Sequence, residues 1–160
     1  MTQTMEISLR PYRPEDQEIL SAIYASTRRE EVAAWGWNAA QQDAFLRMQC
    51  AAQQGGYEAA YPNADHQIIC LGILPVGRIL VERGPGRLQL VDIALLAEHR
   101  GQGIGAMLLR RLAQEADRSG VPVQLQVHQA NVRARQLYER LGFVATGEDQ
   151  VYCQMERKPI

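Results

Sequence analysis

The sequence predicts an α/β protein: a mixed, mostly antiparallel twisted sheet of about seven strands with about four helices. Three observations carry this. Residues 67–96 hold three short apolar runs punctuated by Pro75 and Gly84-Pro85-Gly86, the pattern of an antiparallel meander. Ile104, Met107, Leu108, Leu112 and Ala116 then recur at helical spacing. Residues 121–128 (VPVQLQVH) alternate strictly, so strand, helix and strand follow one another and read as one crossover with a parallel strand pair.

From the N-terminus, residues 6–12 (EISLRPY) alternate weakly and read as a first strand. Arg13-Pro14-Glu15-Asp16 opens a helix, because proline suits a first turn and acids there face the positive end of the helix dipole. Ile19, Leu20, Ile23 and Tyr24 continue it. After Trp35-Gly36-Trp37 a second helix is expected from about Asn38 to Gln54, stopped by Gly55-Gly56. Residues 67–74 and 76–82 read as strands joined near Pro75, and residues 87–96 as the next strand. The helix opened by Gly101, Gly103 and Gly105 closes at Ser119-Gly120. In the following strand Val123, Leu125 and Val127 point one way, and Gln124, Gln126 and His128 the other. A helix over 131–141 stops at Gly142, and residues 143–145 and 151–155 supply two closing strands. Without repeats or linkers, residues 1–160 read as one domain.

The 160 residues are 46% apolar and 22% charged, the make-up of a soluble protein able to bury a sizeable core. A net charge of −1 gives no basic field toward nucleic acid or anionic membrane. No run approaches the ~18 apolar residues of a membrane span, and residues 1–10 carry no apolar export segment, so a cytoplasmic location is expected. Cys50, Cys70 and Cys153 are odd in number and widely spaced; they read as reduced thiols and offer no metal site. Lys158 is the only lysine, which argues against a P-loop or Schiff-base lysine inside the fold. Ser8, Ser21, Ser26 and Ser119 stand in no G-x-S-x-G context, so the usual hydrolase elbow is missing.

Arg100-Gly101-Gln102-Gly103-Ile104-Gly105, between a strand and a helix, has the make-up of an anion site. Glycines let the backbone approach closely, several N–H groups point outward, and the helix start adds roughly half a positive charge. A pyrophosphate suits it; a tight turn needing glycine for geometry alone is the plainer alternative. Gly101-x-Gly103-x-x-Ala106 also fits the dinucleotide fingerprint G-x-G-x-x-G/A. That fingerprint expects an acid about 20 positions later and a repeating parallel sheet. No Asp or Glu stands between Asp117 and Glu139, which argues against a nucleotide-dependent oxidoreductase.

The whole stretch Arg100-x-x-Gly103-x-Gly105 resembles the R/Q-x-x-G-x-G/A motif of the GNAT superfamily of N-acetyltransferases. Downstream, Asn131-x-x-Ala134-x-x-Leu137-Tyr138-Glu139-x-Leu141-Gly142-Phe143 is similar to that superfamily's N-x-x-A-x-x-L-Y-x-x-x-G-F signature. The two lie in order within residues 88–144, over a third of the chain. The resemblance implies a GNAT-like sheet with a splayed central parallel pair, acetyl-CoA as acetyl donor, and no metal. It also implies roles. Gly101, Gln102, Gly103, Ile104, Gly105 and Ala106, with Arg100 ahead of them, would hold the pyrophosphate. Ile93, Ala94 and Leu95 would pair their main chain with the pantetheine amides. Asn131 would contact the cofactor arm, and Tyr138 would stand near the thioester sulfur.

Acetyl transfer to an amine needs a neutral nucleophile, a stabilised carbonyl oxygen and a proton for the leaving thiolate. Tyr138 suits the last role, because a phenol ordinarily holds its proton more tightly than a thiol; a core aromatic beside Leu137 and Leu141 is the plainer reading. Where the family offers glutamates as bases, this chain has Gln89 and Gln126. Asp92, the only carboxylate in its strand, and His128, on the polar face of Gln124 and Gln126, are the candidate bases. Strand-face hydrogen bonding for Asp92 and a solvated strand end for His128 stand against them. Glu98, Glu82 and His66 follow, and some acceptors need no enzyme base. The family's N-terminal helices and neighbouring loops usually shape the acceptor pocket, here with Tyr24, Arg28, Arg29, Glu30, Glu31, Trp35, Trp37, Phe45, Tyr57 and Tyr61; packing for the aromatics and a solvated face for Glu30-Glu31 are the plainer readings. A small-molecule or peptide amine fits as acceptor, and a homodimer stays open. A non-catalytic module that binds or senses acyl-CoA is the alternative, because the glutamates are missing.

Overall fold

The computed structural model describes residues 6–160. Among them seven strands and four helices occur in the expected order: β1 (Ile7–Pro11), α1 (Gln17–Ala33), α2 (Ala39–Ala60), β2 (Asp65–Leu71), β3 (Leu74–Arg83), β4 (Leu88–Leu95), α3 (Ile104–Ser119), β5 (Val123–His128), α4 (Val132–Arg140), β6 (Val144–Glu148) and β7 (Tyr152–Arg157). The strand order is β1-β2-β3-β4-β5-β7-β6. β1–β2, β5–β7 and β6–β7 run antiparallel, and β4–β5 run parallel, as the crossover through α3 requires. The parallel ladder joins Leu88, Gln89 and Leu90 to Val123, Gln124 and Leu125. Beyond it Gln126, Val127 and His128 take their partners from β7. No helix among the described residues is long and apolar enough to cross a membrane. Cys50, Cys70 and Cys153 are buried free thiols.

The chain forms two compact units. One runs through Leu80 and includes Asp92–Gln102; the other comprises Val81–Val91 and Gly103–Ile160. The first has its core in Leu20, Ile23 and Val32 of α1, Leu46 and Cys50 of α2, and Ile68, Ile69 and Val76 of the strands. The second is built on α3, which buries Ile104, Leu108, Leu112 and Ala116 at i, i+4, i+8 and i+12. β5 buries Val123, Leu125 and Val127 as its alternation predicts, and β7 adds Cys153 and Met155. Each buried Val, Leu, Ile or Met among them contributes about 1.5–3 kcal/mol by leaving water. Gly120, left-handed at φ 68°, ends α3 where the sequence places its stop. Asp117, in the last turn, accepts from both terminal nitrogens of Arg157, at 2.9 and 3.1 Å, tying β7 to the end of that helix.

Three expectations are corrected. α2 does not stop at Gly55-Gly56 but runs on to Ala60. Neither glycine adopts the left-handed turn that ends a helix; the stop falls at Tyr61, ahead of Pro62, which has no N–H to donate. The added turn is held from outside: Tyr57 lies against Arg78 of β3, which also donates to Gln53 one turn earlier. The turn between β2 and β3 is Gly72-Ile73, with Gly72 at φ 62°, and not Pro75, which lies inside β3. A tight hairpin needs positive φ at its first central residue, which glycine supplies and proline cannot adopt. The closing strands are displaced too, to 144–148 and 152–157.

The entry to α1 rests on Asp16, which is buried. Its carboxylate accepts both terminal nitrogens of Arg10, each at 2.8 Å, and the Arg13 backbone N–H at 2.9 Å. The Arg10 hydrogen bonds above all pull its pKa from 3.8 down to about 2. A depressed carboxylate stabilises the fold above its unfolded pKa, and the contribution fades as pH falls from about 4 towards 2. Asp16→Asn should lower unfolding free energy in urea at pH 7 by about 1.5–3 kcal/mol. Its stability should also fall less steeply between pH 4 and pH 2 than that of the unaltered chain.

Candidate active site

Three helices start differently. Asn38 caps α2, its side-chain oxygen accepting the Gln41 N–H at 2.8 Å while Gln41 accepts the Asn38 N–H at 3.1 Å. Asn131 caps α4, accepting the Ala134 N–H at 3.2 Å. α3 has Gly103 at its cap position, with no side chain to offer. Gly101 and Gly103 are left-handed, at φ 75° and 84°, a conformation that other residues rarely adopt. The first bond of this helix runs from the Met107 N–H to the Gly103 carbonyl at 3.0 Å. The N–H groups ahead of it are those a helix start leaves without an internal partner. Gly105 has neither reason for being glycine: its φ is not positive, and a Cβ there would meet nothing within 4 Å. Glycine weakens a helix by up to about 1 kcal/mol relative to alanine. Its small size at an uncapped helix start fits a ligand that approaches the backbone.

Ahead of this turn lies the end of β4. Ile93, Ala94 and Leu95 are half-buried. The Leu96 N–H donates to the Val76 carbonyl at 2.8 Å, and the Arg100 side chain folds back to donate to the Leu95 carbonyl at 3.1 Å. The Gln102 side chain donates to the Glu98 carbonyl at 3.2 Å, closing the loop on itself. Gly77 of β3 faces this segment closely. A Cβ at Gly77 would fall on the Ala94 carbonyl oxygen and sit 2.8 Å from Leu95 Cδ2.

Asp92 is tied to Arg78, whose Nε and Nη2 reach its Oδ2 at 2.9 and 2.8 Å. Burial pushes the Asp92 carboxyl up, against the opposing pull of the guanidinium. Arg78 is buried; it also donates to Gln53 Oε1 at 2.8 Å and lies 5.4 Å from the centre of the Tyr57 ring. The candidate base is therefore one end of a network joining α2, β3 and β4. Of the residues standing where the family has glutamates, Gln89 accepts from Arg87 at 2.9 Å, and Gln126 is exposed.

In the other unit, His128 ends β5 with its ring edge-on to Tyr152, centroids 5.6 Å apart, and its Nδ1 accepts the Ala130 N–H at 3.1 Å. Tyr138 on α4 is buried, 5.7 Å from the Phe143 ring. Asn131 lies at the exposed start of the same helix, its carboxamide oxygen already used for capping.

A model of the acetyltransferase (GNAT) family matches residues 17–143. The chain belongs to the GNAT acetyltransferase family. Over 69 residues it is 38% identical to streptothricin acetyltransferase of Streptomyces lavendulae, a stretch covering 42% of this chain and 36% of that protein. The match thus spans little more than a third of that relative's length. The fold is similar to the crystal structure of the paia N-acetyltransferase of Thermoplasma acidophilum in complex with coenzyme A, at TM-score 0.70 and 19% identity, covering 96% of this chain and 99% of that one. It is also similar to an acetyltransferase of Thermus thermophilus, at TM-score 0.71 and 19% identity over 98% and 99% of the two chains. The seven-stranded sheet with its parallel pair is the GNAT fold that the two motifs imply.

For this GNAT chain the sequence reading passes over Gly77, Arg78 and Gln53. Two signals were there: a glycine inside a strand marks close backbone approach, and an arginine inside the apolar run VGRILV demands a buried partner. Gly77→Ala should cost about 1–3 kcal/mol of stability, because the new methyl meets a backbone oxygen held in the sheet. Denaturant titration measures it; a loss no larger than for Gly86→Ala, whose Cβ would meet nothing within 4 Å, would refute the close approach.

Proposed function

We propose that the chain is an acetyl-CoA-dependent N-acetyltransferase that moves an acetyl group to a primary amine. The observation that carries this reading is the uncapped start of α3, with left-handed Gly101 and Gly103 and the otherwise unexplained Gly105. Backbone N–H groups from Gly101 to Ala106 would bind the pyrophosphate with help from the positive end of the helix dipole. Arg100 would brace the turn through the Leu95 carbonyl. Ile93, Ala94 and Leu95 would offer main-chain groups to the pantetheine arm, and Asn131 would meet that arm from the start of α4. Acetyl-CoA supplies an activated thioester carbonyl; attack by the amine nitrogen forms the amide C–N bond, and the C–S bond breaks. The attacking nitrogen would shed its surplus proton to solvent, and Tyr138 would donate its phenolic proton to the departing thiolate.

The acid–base side is thinner. The partner of Asp92 is Arg78, and His128 would take a proton only through its remaining ring nitrogen. With Gln89 and Gln126 in place of carboxylates, a non-catalytic acyl-CoA-binding module is the second reading. Tight CoA binding without thiol release on any amine would favour it.

Two substitutions test the first reading. Gly105→Glu places bulk and negative charge at the helix start without disturbing a packed neighbour. Calorimetric titration with CoA should show affinity falling at least about 100-fold, since several charge-assisted hydrogen bonds are lost; unchanged affinity removes the turn from the site. Tyr138→Phe should lower kcat by about 100-fold while CoA affinity changes less than about two-fold. Equal losses of both would assign Tyr138 to the core beside Phe143.

A further inference from the structure

A cleft of about 280 Å3 lies wholly within the first unit. Tyr12 beyond the end of β1, Tyr57 of α2, Tyr61 just past it and His66 of β2 wall it. The exposed Glu58 stands at its rim and the buried Arg78 at its base. The volume is at the lower limit of small-molecule sites, too small for a folded protein segment.

Its chemistry is graded from rim to base. His66 Nε2 is buried and has no hydrogen-bond partner among the described residues, a rarity in a folded protein. The ring is held in place by stacking on Tyr12, centroids 4.4 Å apart and planes within 8°. Burial, helped by the charge of Arg78, depresses His66 to about 4, so the imidazole is neutral at pH 7. No ion pair among the described residues holds the Glu58 carboxylate; its recorded contact is the Gln54 amide at 3.5 Å. Tyrosine faces and a carboxylate at the rim attract a cation. At the base the guanidinium that disfavours a charged His66 disfavours an ammonium too. An amine reaching the base has its ammonium form disfavoured, which moves it towards the neutral state a nucleophile needs. Arg78 is bonded to Asp92, and Asp92 directly precedes the Ile93–Leu95 segment.

We propose that this cleft is the acceptor site and that the acceptor is a small diamine, one amino group taken neutral to the base and the other held as an ammonium among the tyrosines and Glu58. The identification of the acceptor rests on the acetyltransferase reading above; the binding of a diamine in the cleft does not.

The test uses the full chain and three amines of matched length: 1,5-diaminopentane, 1-aminopentane and 5-aminopentanoate. With acetyl-CoA present, kcat/KM should favour the diamine over 1-aminopentane by about ten-fold, with 5-aminopentanoate poorest. Glu58→Gln, an exposed position, should cut that preference by about three- to five-fold without changing CoA affinity. A flat response across the panel, or a preference untouched by Glu58→Gln, would overturn the proposal. In parallel, 1,5-diaminopentane is titrated without CoA while the His66 imidazole resonances are followed. Saturable shifts there support the site, and their absence overturns it. Failure of CoA itself to bind would sink the acetyltransferase reading alone, because the titration still reports on the cleft.

Discussion

A guanidinium buried inside a β-sheet must be satisfied on every side, and Arg78 imposes that demand on much of the first unit. It takes Asp92 from β4, Gln53 from α2 and the face of Tyr57 one turn later. Removing one partner of such a pair leaves a stranded charge and typically costs about 3–5 kcal/mol. The last turns of α2 are thereby anchored to β3, although two glycines within them weaken the helix on its own. The same bonds hold Asp92 beside the segment proposed to receive the cofactor arm. They also set the charge at the base of the tyrosine-walled cleft.

A complementary logic governs the helix starts. α2 and α4 satisfy their N-terminal N–H groups with asparagine side chains, whereas α3 begins at a glycine with nothing to offer. The start of α3, uncapped by a side chain and carrying left-handed Gly101 and Gly103, is where the backbone itself is proposed as the binding surface. The extra glycine at 105 weakens the helix and meets no packing constraint, which suits the close approach of the ligand proposed there. Gly77 is the opposite case. It is glycine because a neighbouring strand's carbonyl already occupies the space of a side chain.

Much of the architecture was legible in one dimension. The apolar stripe of α3 and the alternation of β5 are periodic signals that tertiary contacts reinforce, and both appear where the periodicity puts them. The end of α2 and the β2–β3 turn were not legible. Gly55-Gly56 and Gly72 are chemically alike, and only φ separates a glycine inside a helix from one that turns the chain. That angle is set by partners elsewhere, Arg78 for the helix and the β1–β2–β3 pairing for the hairpin. The glycine turn stands out in the sequence because a backbone anion site of the kind proposed must be written in glycines. The Arg78 network was not, since Gln53, Arg78 and Asp92 are far apart along the chain.

The sequence by itself determined the family and the order of elements, because motif spacing and hydrophobic periodicity suffice for both, and it singled out the glycine turn proposed for a diphosphate. The tertiary structure alone decided which side chains share a site. It took Asp92 from a candidate free base to the partner of an arginine, made Asn131 a helix cap, and gathered Tyr12, Tyr57, Glu58 and His66 around one cleft. Those groupings depend on strand register and on where a helix stops, both fixed by long-range contacts that no local pattern encodes.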